Sequence, residues 1–514
     1  MNLTQNSKTF GKKIRELLAK ARGLFWPIYG AEHKIWAPMA TMVGLILFNY
    51  TVARNVKDGL VVTATGSSEI IPYLKGSLVL PAAIVFFFIY AKLAGLLRKQ
   101  ALFYVIVGGF IAFFVLFATV LYPLHDYLHP KESADALQAM LPAGFKGLVD
   151  VYRVWTFSLF YTMSELWGAA VSALMFWQFA NDVIRVKEAK RFYAHFYLVA
   201  NVFVAFSGVV VNRLSQVQEG LPEGVDPWGV SINYLTTVLT ACGLLVLAIY
   251  YYLNKYVFND EYLAKIAAER HEKPKKTKLK MSVSEGIKFL LHSKYLGLIA
   301  LLVICYGVTI NLVEVTWKGQ VGRQFTTGNE YTAFMGYLSG STGIATIIAI
   351  FVGSILVRKL GWRFSAMMTP IVLGSTGIFF FLCVLTPDLV SPIGMMFSIS
   401  PLLLGVLIGL AQNVLSKSIK YALFDPTKEM AYIPLDDESK MRGKAAVDVV
   451  ANRFGKSGGG YIQIALFALI GPLSEIVPYL AVIFAFFIGV WMFAVYSLSG
   501  KFAQACKEKG EAQV

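Results

Sequence analysis

The chain is 514 residues long, 56% hydrophobic and only 15% charged, with a mean hydropathy of +0.59 and a formal net charge of +16. Soluble domains average about 25% charged residues, so this composition excludes an ordinary soluble fold and predicts an all-α polytopic protein of the lipid bilayer. Four scattered cysteines with no Cys-x-x-Cys pair argue against a disulfide framework or a zinc site.

Residues 1–24 are basic and helix-prone with no cleavage site behind them, which predicts a cytoplasmic amphipathic segment rather than a removed signal. Apolar runs of about 20 residues, enough to cross a bilayer, then recur near 36–53, 70–91, 101–122, 148–180, 192–212 and 231–254. Further runs follow near 295–316, 331–357, 365–386, 395–416, 445–470 and 476–499. These predict about twelve transmembrane helices. The polar, Lys-rich stretch 255–292 divides them into an N-terminal six-helix half, 25–254, and a C-terminal half, 293–514.

Lys and Arg cluster before the first run and after the second, fourth, sixth and eighth, all on one side if the runs alternate. The opposite loops near 387–393 and 471–475 carry none. The positive-inside bias therefore places both termini in the cytoplasm, and it explains the basic balance without nucleic acid. His125 and His129, in an external loop, read as a solvated pair rather than metal ligands. No metal or cofactor is expected.

The halves resemble each other weakly. Leu96-Leu97-Arg98-Lys99 matches Leu356-Val357-Arg358-Lys359, and Phe179-Ala180-Asn181-Asp182 with Val199-Ala200-Asn201 matches Phe424-Asp425 with Val450-Ala451-Asn452. The common order suggests a parallel duplication of the major-facilitator kind, with substrate held between halves that rock around it.

Charges inside apolar runs carry the chemistry, because burying one at bilayer depth costs about 2.5–3.5 kcal/mol and needs a use. Arg54 and Lys57 share a helix face near the end of the first run. They suit a polyanion such as a phosphate chain, or else snorkel to the outer interface. Glu165 lies deep in the fourth run with no basic residue within a turn, so its partner must come from another helix or from substrate. Glu314 and Lys318, at i and i+4, form a structural pair or a binding one, with Asn311 one turn earlier as a donor–acceptor. Lys444, Asp448, Asn452 and Lys456 recur every four residues as a polar stripe on an otherwise apolar helix, and Gly455 with Gly458-Gly459-Gly460 admits a close neighbour. Gly455-Lys456-Ser457 looks like the end of a P-loop, but Val450 stands where the first glycine is needed and no strand precedes it, which rejects a Walker ATPase.

Longer motifs then match a known family. Arg54-Asn55-Val56-Lys57-Asp58-Gly59-Leu60, Asn311-Leu312-Val313-Glu314-Val315-Thr316-Trp317-Lys318, Asn329-Glu330-Tyr331-Thr332-Ala333, Lys417-Ser418-Ile419-Lys420-Tyr421-Ala422-Leu423-Phe424-Asp425-Pro426 and Gly443-Lys444-Ala445-Ala446-Val447-Asp448 resemble the ATP/ADP translocases of plastids and obligate intracellular bacteria, the chlamydial members above all. The resemblance covers nearly the whole chain. It implies a major-facilitator-like antiporter, functional as a monomer, that imports host ATP for ADP across a bacterial inner membrane, with phosphate as a further candidate substrate. It also places the family's transport-essential charges on Lys57, Glu165, Glu314 and Lys456. Relatives carry an acidic residue where this chain has Asn55, which would leave Arg54 less locally neutralised. Proton-coupled nucleotide symport and, from another class, a membrane nucleotide hydrolase are the alternatives.

Overall fold

The computed structural model describes residues 28–217, 221–258, 262 and 283–508. The predicted segment 1–24 and most of the stretch 255–292 lie outside these residues. Within them the chain is helical from end to end. Ten helices are long and apolar enough to cross a membrane. With Asn452–Leu469, which is not one of the ten, the helices used below are α1 (His33–Thr65), α2 (Ile70–Leu96), α3 (Lys99–Leu121), α4 (Trp155–Val183), α5 (Val186–Leu214), α6 (Pro227–Val257), α7 (Lys294–Gln324), α8 (Gly328–Leu385), α9 (Pro401–Met430), α10 (Asn452–Leu469) and α11 (Leu473–Glu508).

Two departures from the predicted boundaries matter. Polar side chains cut hydropathy runs short, whereas backbone hydrogen bonds carry a helix through them. The first run was expected to end at residue 53, yet α1 continues to Thr65, where Gly66 at φ +66° stops it in the left-handed conformation. Arg54, Lys57 and Asp58 are therefore helix-interior residues, and Lys57, only 1% exposed, does not snorkel. The second departure is α8, 58 residues long, which joins two helices at Gly361, where φ is +75°. The chain breaks at Leu97-Arg98 between α2 and α3 and at Gly361 just after Arg358-Lys359, so the repeated Arg-Lys motif stands beside a corner in both halves. Helix Val283–His292 also falls in the stretch expected to be a linker.

Call the end of the bundle that holds the start of α1 and the end of α11 the termini face. At the opposite, distal face, helices Lys131–Met140 and Lys146–Arg153 form a small cap between α3 and α4. His125 and His129 lie here and are not the expected solvated pair. His125 stacks on Tyr122 at 5.0 Å, and His129, 7% exposed, bonds Thr156 Oγ1 through Nε2 at 2.7 Å. Burial holds the His129 imidazole down to about 4, so it is neutral at pH 7. Outward faces of α2 and α3 bear exposed Ile84, Phe87, Phe88 and Val105, apolar area suited to lipid.

Bonds between the two halves gather toward the distal face. Ser68 Oγ donates to Val315 O at 2.8 Å, Leu473 N to Glu69 Oε1 at 2.8 Å, and Asn212 Nδ2 to Ala333 O at 3.1 Å. Asn329 Nδ2 reaches Ser231 Oγ at 2.8 Å and Ser215 O at 3.0 Å. Contacts at the termini face such as Arg191–Glu32, Lys99–Asp182 and Lys444–Glu429 join elements of one half.

Candidate functional site

The charges predicted from α1, α4 and α7 meet on the seam between the halves. Arg54 Nη2 donates to Glu314 Oε1 at 2.8 Å across that seam. Lys57 Nζ lies 3.0 Å from Glu165 Oε1, 3.1 Å from Asp58 Oδ1 and 3.5 Å above the centroid of the Tyr161 ring. Glu165 thus finds its partner on another helix, as its isolation in sequence required. Lys318 Nζ makes the expected i,i+4 contact with Glu314 at 3.3 Å, but its shorter bond, 2.8 Å, goes across the seam to Asp58 Oδ2. Arg54 is accordingly neutralised by Glu314 of the other half, so Asn55 does not leave it bare. Asn55 instead exchanges hydrogen bonds with Ser339 at 2.9 and 3.1 Å.

Asn311 lies one turn before Glu314. Its Oδ1 accepts from Lys75 Nζ at 3.1 Å and its Nδ2 donates to Gly307 O at 2.8 Å. Lys417 Nζ stands 3.6 Å from Glu314 Oε1.

Asp58, Lys75, Lys417 and Tyr161 were not singled out from sequence. Asp58 was hidden by its neighbour Lys57, although its carboxylate holds lysines from both halves. Lys75 offered a signal that was missed, since it is a charge inside the second apolar run. Lys417 stood in a quoted motif, and Tyr161 gave no sign among so many aromatics.

The stripe expected on the eleventh run is not continuous. A π-helical turn over Val447–Ala451 adds a residue to the helical register and breaks the four-residue spacing between Lys444 and Asn452. Lys444, its side chain 48% exposed, bonds Glu429 Oε2 at 2.5 Å and does not join the cluster. Asn452 opens α10 half-buried. The side chains of Asp448 and Lys456 lie outside the described residues. Of the four predicted glycines, Gly455 and Gly459 make the close approach and Gly458 and Gly460 do not: a Cβ on Gly307 would sit 2.5 Å from the Gly455 carbonyl carbon, one on Gly459 would sit 2.8 Å from Asn311 Cβ, and one on Gly460 would meet nothing within 4 Å. Only bare backbone lets α10 lie this close to α7.

Exposure grades along the site. The Arg54 and Glu165 side chains are 28% and 27% exposed, whereas Lys57, Asp58 and Lys318 are at most 2%. Arg54 precedes Lys57 and Asp58 on a helix that begins at the termini face, so solvent reaches the cluster from that face and stops at the second layer. Arg54, Lys57, Lys75, Lys318 and Lys417 outnumber Asp58, Glu165 and Glu314 by two. Among the described side chains the cluster therefore carries more cations than carboxylates and suits a multivalent anion, whose oxygens form charge-assisted bonds with such cations.

A family model described as TLC ATP/ADP transporter matches residues 11–502. ADP,ATP carrier protein 1 of Chlamydia muridarum is 48% identical over 96% of this chain and 94% of its own. The plastidic ATP/ADP-transporter of Solanum tuberosum is 45% identical over 92% and 74%, and ADP,ATP carrier protein 1 of Rickettsia prowazekii 40% over 95% and 97%. Among solved structures, a D-xylose-proton symporter superposes with a TM-score of 0.53 at 11% identity, covering 91% of this chain and 97% of that one. A bacterial homologue of the iron transporter ferroportin in the inward-facing state gives 0.51 at 13%, covering 90% and 98%. The structural likenesses bear out the expected major-facilitator-like fold, and the sequence likenesses bear out the resemblance read from the motifs.

Proposed function

Because the chain belongs to the TLC ATP/ADP transporter family, we propose that it is an antiporter that imports ATP in exchange for ADP by alternating access. The observation that carries this reading is the cationic excess on the seam, with Arg54 and Glu314 of opposite halves bonded at its solvent-reached edge. Arg54 and Lys57 bind phosphate oxygens, Lys417 supports them, and Lys75 with Asn311 forms the opposite wall, while Lys318 stays with Asp58 and Glu314. Glu165 and Glu314 hold the cations when the site is empty. When nucleotide enters, phosphate replaces the carboxylates. An equilibrium between two states moves only through such differential interaction, which ties movement to loading.

The same reading sets the protein in a bacterial inner membrane as a monomer, with twelve crossings and both termini in the cytoplasm. Two features support twelve: α8 holds two helices, and α10 completes the C-terminal half. The basic loops support the orientation. Phosphate is a further candidate substrate, since it shares the oxygens that the cations recognise.

Counterflow tests the assignment. Proteoliposomes preloaded with ADP are expected to accumulate labelled ATP, empty ones are not, and unlabelled ATP and ADP are expected to compete best in a nucleotide panel. Uptake into empty vesicles driven by a pH gradient would establish proton-coupled symport instead, and release of inorganic phosphate would establish hydrolysis.

A further inference from the structure

The two halves carry the same charged frame with the signs exchanged. The pair Arg98-Lys99 recurs as Arg358-Lys359, and at the same separation, 260 residues, Arg54 corresponds to Glu314 and Asp58 to Lys318. Each helix thus presents an i,i+4 pair, cation then anion on α1, anion then cation on α7. Face to face they make two bridges across the seam, Arg54–Glu314 and Asp58–Lys318, both 2.8 Å. The inversion extends to a third position. Glu165 lies one turn before the π-helical turn Gly168–Met175, and Lys417 lies one turn before its counterpart Lys420–Phe424. Each reaches the first helix of its own half, Glu165 to Lys57 and Lys417 to Glu314.

The bridges across the seam differ in access. Arg54–Glu314 is part-exposed toward the termini face, so an incoming anion meets it first. Asp58–Lys318 is sealed, the side chains 0% and 2% exposed, so it is not the bridge an incoming anion meets first. It nevertheless crosses between α1 and α7 below the distal contact where a Cβ on Gly322 would meet Val62 Cγ1 at 2.7 Å. Those helices cannot part at the distal face while the bridge holds.

Each residue of the sealed bridge also has a second partner within its own half, already near bonding distance. Asp58 Oδ1 is 3.1 Å from Lys57, and Lys318 is 3.3 Å from Glu314. Resting on the nucleotide reading above, we infer that Asp58–Lys318 is the latch of the distal gate and Arg54–Glu314 its trigger. An anionic phosphate on Arg54 frees Glu314. Glu314 then draws Lys318 back to its own helix, and Asp58 keeps Lys57. Both bridges across the seam become pairs within a half, with no lone charge left behind, and the halves separate. An empty carrier has nothing to free Glu314 and stays latched.

The test uses Val62→Cys, buried in the closed distal contact, in full-length protein whose native cysteines are replaced. In nanodiscs, where both faces are open to reagent, reaction with a charged methanethiosulfonate is expected to be slow without nucleotide and at least fivefold faster with ADP. In the neutral pair Asp58→Asn with Lys318→Gln, reaction is expected to be fast without nucleotide and no longer to respond to ADP, while labelled-ADP binding stays within threefold of the parent. A slow, ADP-responsive reaction in that pair overturns the latch. If the pair does not purify as a single species, Lys318→Arg decides: the two-pronged guanidinium grips Asp58 more firmly, so the ADP-stimulated rate is expected to fall at least threefold, and an unchanged rate overturns the proposal. The latch is read without nucleotide, so a parent protein that binds no nucleotide refutes the functional reading and leaves the latch standing on its own result.

Discussion

Lys57 shows why the buried charges of this chain do not act as independent ligands. It is one residue with three neighbours, Asp58, Glu165 and the face of Tyr161, and it is almost wholly out of solvent. Removing one member of a buried ionic set costs about 3–5 kcal/mol, chiefly because the partners stay behind without compensation. Lys57→Ala is therefore expected to lower both thermal stability and counterflow, the latter at least tenfold. Adding Glu165→Ala takes away one stranded carboxylate, so the double variant should recover part of the lost melting temperature and none of the transport. If the double variant regained exchange, Lys57 would be a structural counter-ion and not a phosphate ligand.

Among the elements, α7 and α10 show how glycine and charge work together. Gly307 and Gly455 meet backbone to backbone, and this approach brings the α10 backbone against Asn311 and so beside Lys75 and Glu314. Gly455→Ala puts a methyl group 2.9 Å from Val303 O, and such overpacking costs about 1–3 kcal/mol. Gly460, with nothing within 4 Å of its Cβ position, serves as the contrast. Gly455→Ala should lower the melting temperature in nanodiscs, and Gly460→Ala should leave it unchanged or raise it. Equal effects would mean that the glycines act through helix flexibility and not through close approach.

The elements also explain what sequence reading reached and what it missed. Apolar runs revealed the helices, and the glycine-rich stretch revealed the tight contact, though only Gly455 and Gly459 of its four glycines make it. The end of α1 was misplaced, since hydropathy falls at Arg54-Asn55 while the helix continues, and this made Arg54 and Lys57 look interfacial. Glu314–Lys318 was legible as an i,i+4 pair, but not that Lys318 bonds more closely to Asp58, a residue 260 positions earlier by the repeat. The expected stripe through Lys444 failed for a different reason, a π-helical turn that composition does not announce. Local periodicity therefore found most of the charged side chains, and only the packing of the two halves decided which of them meet.

For the whole molecule, two kinds of bond close the distal face, and they should answer nucleotide differently. Ionic bridges on the seam have alternative partners within each half, whereas the neutral bonds of Asn329 have none among the described residues and simply weigh on the closed state. Asn329 Nδ2 reaches Ser231 Oγ, Ser215 O and Pro227 O, tying the start of α8 to the end of α5 and the start of α6. The amide has two hydrogens to donate, so net values of about 0.5–1.5 kcal/mol per hydrogen bond put the loss of this set at about 1–3 kcal/mol, of which about 1.4 kcal/mol is already tenfold in an equilibrium. Asn329→Ala, combined with the Val62→Cys reporter, is thus expected to raise thiol reactivity about tenfold without nucleotide, by shifting population toward the distal-open state. Because the charges are untouched, ADP should still accelerate the reaction by the same factor as in the parent. A variant that opened fully and lost its response to ADP would show that the neutral closure, and not the exchange of ionic partners, couples loading to movement.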